Sequence, residues 1–212
     1  MSSQLTSRAV ALAGAVFAVA SVVSDLIVGK FPDTDTPLAQ LSTFYAQHHA
    51  RVAAGGLVQA WAAIPLAVFA AALYVRSRES GEHPVANMVA MIGAAVAVVG
   101  TLGDGTAYWL LGHIGNDHAV GAGALQAWHI LGSEGTLVTG GGVAVLLLGV
   151  AAAGAVPRWL AWPAVVIGLL QLTPVGFLAS LLFLAWAAVT GVVLAVRPGA
   201  VGRVRRLDAA TA

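Results

Sequence analysis

Three carboxylates sit inside otherwise apolar runs: Asp25 in SVVSDLIVG, Asp104 in VGTLGDGTAYW and Glu134 in HILGSEGTL. An acid placed so can carry a proton, hold a cation or hydrogen-bond to a neighbouring helix. Each use requires that it face protein or a wet cavity, because hydrocarbon does not solvate it. Insertion scales put the cost of a carboxylate at mid-helix at about 2.5–3.5 kcal/mol. Asp25 and Glu134 have no basic residue on their own apolar runs. They must therefore be protonated, hydrated, or hydrogen-bonded to His129, Tyr108 or the glutamines Gln59 and Gln171. Thr101, Asp104 and Tyr108 follow i, i+3, i+7 spacing and share one helical stripe; Ser21 and Asp25 share another.

The histidines are the other candidates. Helical zinc sites favour i, i+4 pairs, and no such pair occurs among His48, His49, His83, His113, His118 and His129. His113 and His118 are five residues apart, as are His129 and Glu134, which is about 140° round a helix. Adjacent His48 and His49 point about 100° apart. A metal or b-type haem would have to be held across helices, by His49, His113 and His129; the local pattern predicts neither cofactor. His48 and His118 read as solvated loop residues, and His129 is the histidine best placed for a role. The chain has no cysteine, which excludes disulfides, thiolate nucleophiles, iron–sulfur clusters and covalently attached haem. No GxSxG, Walker loop or dinucleotide fingerprint is present, so no catalytic residue is assigned.

The elements that hold these residues follow from composition. The chain is 212 residues long, 59% hydrophobic and 9% charged, against about 25% charged in a soluble domain. Bilayer is the solvent that fits. A helix needs about 20 apolar residues to cross, and runs 9–29, 52–75, 85–112 and 126–153 qualify. The block 159–196 is too long for one crossing and contains Thr173-Pro174-Val175-Gly176, where proline disfavours helix in the residue before it. It divides into spans 158–173 and 175–196. The expectation is an all-α, polytopic, six-span membrane domain over 1–212, ending in a basic cytoplasmic tail, 197–212.

Charge supplies an orientation. With the N-terminus cytoplasmic, inside segments carry Arg8, Arg76, Arg78, Arg158, Arg197, Arg203, Arg205 and Arg206, and outside segments only Lys30 and Arg51. Both termini are thus expected inside the plasma membrane's cytoplasmic face. Arg203, Arg205 and Arg206 are placed against anionic lipid; four tail arginines make too small a footprint for nucleic acid. Ala18-Val19-Ala20 imitates a signal-peptidase site, but so alanine-rich a chain produces that pattern by chance, and cleavage would leave an odd number of spans.

Depth then singles out a layer. Counted at 1.5 Å per residue, Asp25 lies about 8 Å below the outer boundary, and Gln59, Asp104 and Glu134 about 12–14 Å below it. Gln171 lies near the outer turn of span five. The polar residues of five spans thus fall in the outer half. The first outer loop should form a short amphipathic helix in the interface through Leu38, Leu41, Tyr45 and His48, feeding into span two. Phe44, Tyr45, Trp159 and Trp162 suit an interfacial aromatic belt. Gly140-Gly141-Gly142 reads as a close-packing surface or a flexible point, and Pro65 as a kink.

The runs FYAQHHARV and LYVRSRESG, and the span-five entry VPRWLAWPAVVIGLL with Pro157, Arg158, Trp159, Leu160 and Trp162, resemble a group of six-span integral membrane proteins of actinobacteria that carry a domain of unknown function. The resemblance implies the six-span layout and transfers no site residue. Three functions stay open. One is small-molecule or ion binding and transport through an outward polar cavity of Asp25, Gln59, Asp104, Tyr108, His129, Glu134 and Gln171. Another is a metal- or haem-dependent intramembrane enzyme or redox protein. The last is an accessory membrane protein whose polar layer joins helices.

Overall fold

A computed structural model describes residues 2–80, 83–115, 122–134 and 136–196, without the side chains of 2–9, 11, 79, 80, 122, 133, 134 and 136. His118 and the tail with Arg203, Arg205 and Arg206 lie outside the described residues, as does the Glu134 side chain. The described residues are all-α: α1 (Ser2–Val28), α2 (Leu38–Ser80), α3 (Pro84–Ile114), α4 (Ala122–Glu134), α5 (Thr136–Ala152), α6 (Arg158–Leu170) and α7 (Gly176–Val196). Four stretches are long and apolar enough to cross a bilayer, as in a membrane protein: Leu38–Arg78, Pro84–Ile114, Gly123–Ala152 and Gly176–Val196. Two further apolar helices, Leu12–Val28 and Arg158–Leu170, are shorter.

The helix ends follow local chemistry. Gly29 ends α1 in the left-handed region, φ +70, where its N–H reaches the Asp25 carbonyl at 2.8 Å; a side chain there would be strained. Gly154, φ +66, ends α5 the same way. Proline opens α3 and caps α6, where a missing N–H costs nothing. The α6–α7 connection is the tight turn expected around Thr173-Pro174, closed by the Gly176 N–H on the Thr173 carbonyl at 3.0 Å.

The segment between the first two apolar runs departs from expectation. Residues 38–51 do not form a separate interfacial helix; they are the first turns of α2, which runs unbroken through Pro65 for 43 residues, about 64 Å. Leu41 and Tyr45 are fully buried. That apolar face is covered by protein: it packs with Val52, Leu111 of α3 and Leu125 of α4. Tyr45 therefore does not belong to a lipid-facing belt, whereas Trp159 and Trp162 are exposed.

The long helices close a ring in which α1 packs on α2, α2 on α3, α3 on α5, α5 on α6, α6 on α7, and α7 back on α1. Small residues make the seams. A Cβ on Gly56 or Gly112 of the α2–α3 pair would strike the facing backbone at Trp109 or Ala53, and one on Gly142 of α5 would strike Ala97 of α3. Lipid gives helices no hydrophobic reason to associate, so contact at this range supplies the attraction by dispersion. The triple glycine divides its work. Gly142 lies in the α3 seam, Gly140 faces the Gln171 side chain, and Gly141 meets nothing within 4 Å. Taking α1 as running upward, the lower half of the ring is solid, filled by Phe69, Leu66, Leu147, Val150, Phe183 and Trp186 among others. The upper half is not.

Candidate functional site

A cavity of about 670 Å³ occupies the upper half of the ring. Five helices and the α6–α7 turn wall it. From α1 come Ser21, Ser24 and Asp25; from α2, Gln59; from α3, Thr101, Asp104 and Tyr108; from α5, Thr139; from the turn, Gln171 and Thr173; and from α7, Ser180. Helical spacing accounts for the grouping. Thr101, Asp104 and Tyr108 present one stripe of α3, and Ser21 and Asp25 one stripe of α1, toward the same space.

Five of the seven residues selected from the sequence therefore share one cavity: Asp25, Gln59, Asp104, Tyr108 and Gln171. Their surroundings differ. The Thr139 hydroxyl donates to Asp104 Oδ2 at 2.7 Å, tying α5 to α3. Asp25 has no hydrogen-bond or ion-pair partner among the described residues and opens into the cavity. Both carboxylates lie within electrostatic reach of the Tyr108 hydroxyl. Gln171 exchanges hydrogen bonds with Ser180 across the turn, at 3.3 and 3.4 Å. Ser24 is spoken for, since its hydroxyl donates to the Gly55 carbonyl at 2.9 Å and joins α1 to α2.

Two polar atoms in the wall are buried and unpartnered, Ser21 Oγ and Gln59 Oε1. Ser21 is only 5% exposed. Buried oxygens without partners are uncommon because each forfeits about 1–3 kcal/mol of solvation, so these two are unsatisfied hydrogen-bonding capacity beside the cavity. The remaining wall is apolar and aromatic. Phe17, Phe183 and Leu184 line it from below, and Phe31 and Tyr108 from above. Phe17 and Phe183 meet at 5.8 Å between ring centroids, Phe183 stacks near Trp186 at 6.3 Å, and the Trp186 indole N–H is held by the Leu160 carbonyl at 2.9 Å. This aromatic floor separates the cavity from the lower end of the ring.

His129 is elsewhere. It does not line the cavity but is fully buried, 0% exposed, in the cap above it. Its ring stacks on Phe31 at 5.3 Å, and Phe31 in turn contacts Tyr108 at 5.1 Å. Nε2 lies 3.2 Å from the Asp33 carbonyl and Nδ1 2.9 Å from the Tyr45 hydroxyl. A carbonyl only accepts, so in the neutral ring Nε2 carries the hydrogen and Nδ1 accepts from Tyr45 O–H. His129 belongs to α4, which packs on α3 and α2, and its ring is tied to the upper end of α2 through Tyr45.

The weak metal candidates do not converge. His49 Nδ1–H donates to the Ala46 carbonyl at 3.2 Å, and His113 Nδ1–H to the Trp109 carbonyl at 2.8 Å, each within its own helix. Among the described residues no three His, Asp or Glu side chains gather as a metal would require. Sequence reasoning passed over Thr139 and Ser180, although both are polar residues in the upper parts of their helices and the depth rule applied to Asp25 would have found them. Phe17, Phe177 and Phe183 gave no signal, since an inward phenylalanine and a lipid-facing one look alike in so apolar a chain. No protein-family model, curated protein or solved structure matches the chain.

Proposed function

We propose that this chain is a six-span plasma-membrane protein with both termini cytoplasmic, and that it binds a small molecule or ion in an outward-facing cavity, as a carrier or receptor would. The six spans are α1, α2, α3, the α4–α5 stretch, α6 and α7, and the upper end of the ring faces outside. Orientation rests on the arginine distribution: Arg76, Arg78 and Arg158 belong to one end and Lys30 and Arg51 to the other. The observation that carries the binding reading is the convergence of Asp25, Gln59, Asp104 and Gln171, from separate parts of the ring, on one cavity of about 670 Å³. That size falls in the range of about 300–1,000 Å³ typical of small-molecule sites.

The accessory-protein reading accounts for Asp104, whose carboxylate joins two helices. It does not account for Asp25, which joins nothing among the described residues. The aromatic floor of Phe17, Phe183 and Trp186 makes the arrangement one-sided, so transport would require that floor to part. Because the chain has no cysteine, single cysteines test the reading without background. Ser180→Cys and Asp35→Cys should react with a membrane-impermeant methanethiosulfonate added outside intact cells, and Arg78→Cys only after the membrane is opened. Reaction of Ser180→Cys only from the cytoplasmic side, or not at all, would overturn the outward cavity.

A further inference from the structure

Taking the cavity as a binding site, we infer that its ligand is a lipophilic amine in its protonated form, an ammonium group attached to a hydrocarbon or aromatic body. Charge is the first ground. Among the described residues the wall holds two carboxylates, Asp25 and Asp104, and no Lys, Arg or His. Arg51 comes near Gly29 at the rim, but its guanidinium lies over Phe44 at 5.9 Å, in the cap and at the C-terminal end of α1, where a cation complements the helix dipole. The acids are left for a guest to neutralise.

Hydrogen-bonding capacity is the second ground. Among the described residues the Asp25 carboxylate has no donor, Gln59 Oε1 is a buried acceptor without one, and buried Ser21 Oγ is unpartnered. Each of these three oxygens can accept an N–H donor. An ammonium supplies several from one atom, whereas a carboxylate or phosphate would add acceptors where acceptors are already in excess.

The third ground is the rest of the wall. Aromatic faces such as Phe17, Phe183 and Tyr108 attract a cation electrostatically, and the same rings accommodate an apolar body. The rim is apolar as well. Phe177 and Leu137 line the cavity yet are 75% and 70% exposed, so they stand at its mouth. They lie on α7 and α5, the two helices that flank α6. With 13 residues, α6 rises only about 20 Å, and its Gln171 end meets α5 at Gly140, three residues past Leu137. A guest that passes this rim is one that already partitions into lipid.

A matched ligand series tests the inference. Calorimetric titration of the full chain in zwitterionic nanodiscs, with empty discs subtracted, would compare 4-phenylbutylammonium, 4-phenylbutanol, 4-phenylbutyrate and methylammonium. The first should bind one per chain, and the other three at least about tenfold more weakly. Asp25→Asn should weaken 4-phenylbutylammonium by about tenfold or more, and by more than it weakens 4-phenylbutanol. Should that variant fail to fold, the wild-type series still decides. Binding of the alcohol or the carboxylate equal to or tighter than the ammonium overturns the amine assignment. If Ser180→Trp, which fills the cavity, abolishes that binding, the cavity stands as a site and only the ligand class is wrong. Binding of the whole series that survives Ser180→Trp, or no binding by any member, overturns the amine and the cavity reading together.

Discussion

Removing one hydroxyl from the cap should loosen the whole upper end of α2. Tyr45→Phe deletes the donor that His129 Nδ1 uses at 2.9 Å and changes nothing else in shape. Both residues are fully buried, at 0% exposure, so water cannot replace the lost partner while the cap is closed. A buried polar group stripped of its partner costs about 1–3 kcal/mol. Stability of the cap can be read apart from that of the membrane bundle by placing a cysteine at Leu125, a buried member of the same cluster, and measuring its reaction with a water-soluble thiol reagent. When reaction requires transient opening, its rate follows the opening equilibrium. The predicted cost corresponds to labelling about 5- to 160-fold faster in Tyr45→Phe than in the Leu125→Cys parent. His129→Phe should be worse, because it strands the Tyr45 hydroxyl and the Asp33 carbonyl together. Adding Tyr45→Phe to His129→Phe should then cost little, since the hydroxyl already lacks its acceptor. The cycle should show a coupling of about 1 kcal/mol or more. A labelling rate within about twofold of the parent for Tyr45→Phe, or additive costs in the cycle, would refute the claim that this bond holds the cap.

Further outcomes follow from the helix seams and the histidines. Thr139→Val removes the donor to Asp104 Oδ2; interhelical hydrogen bonds of this kind average about 0.6 kcal/mol and reach about 1.7, so the thermal midpoint should fall slightly and the protein stay folded. Loss of folding would show that the pair does more than join helices. Gly142→Ala should lower the yield of monodisperse protein by overpacking the α3–α5 seam, at about 1–3 kcal/mol, whereas Gly141→Ala, facing open space, should be neutral or gain a few tenths by helix propensity, roughly as Gly-to-Ala changes do. Equal behaviour of the two on gel filtration would contradict the seam. Chelation with EDTA should leave the thermal midpoint unchanged and the purified protein should show no Soret band, because among the described residues no three His, Asp or Glu side chains gather around one point. Stoichiometric metal by elemental analysis would revive the metal reading.

Much of the site's membership was readable because polarity is rare in this chain. In a run such as SVVSDLIVG the aspartate stands out, and its height follows from counting residues at a fixed rise per residue. That reasoning gave the heights of Asp25, Gln59, Asp104 and Gln171 without any knowledge of which helices are neighbours. It did not place His129, whose partners Tyr45, Phe31 and Asp33 are set beside it only by packing. It also missed the partners that Asp104 and the Gly55 carbonyl find across the seams. Thr139 and Ser24 are unremarkable in sequence, and only packing sets one against Asp104 and the other against the Gly55 carbonyl.

The sequence by itself determined the solvent-facing character of the helices and where most of them start and stop, since apolar runs, glycine and proline act locally and need no partner. It also determined that the polar side chains gather toward one end. Only the tertiary structure decided which helices meet, and that depended on where small residues let backbones touch: Gly56 and Gly112 along α2–α3, Gly142 against Ala97 along α3–α5. The order of the ring follows from those contacts, and the cavity follows from the ring. Five separate polar residues become one wall only because the upper half of the bundle is left unfilled while Phe17, Phe183 and Trp186 fill the half beneath it.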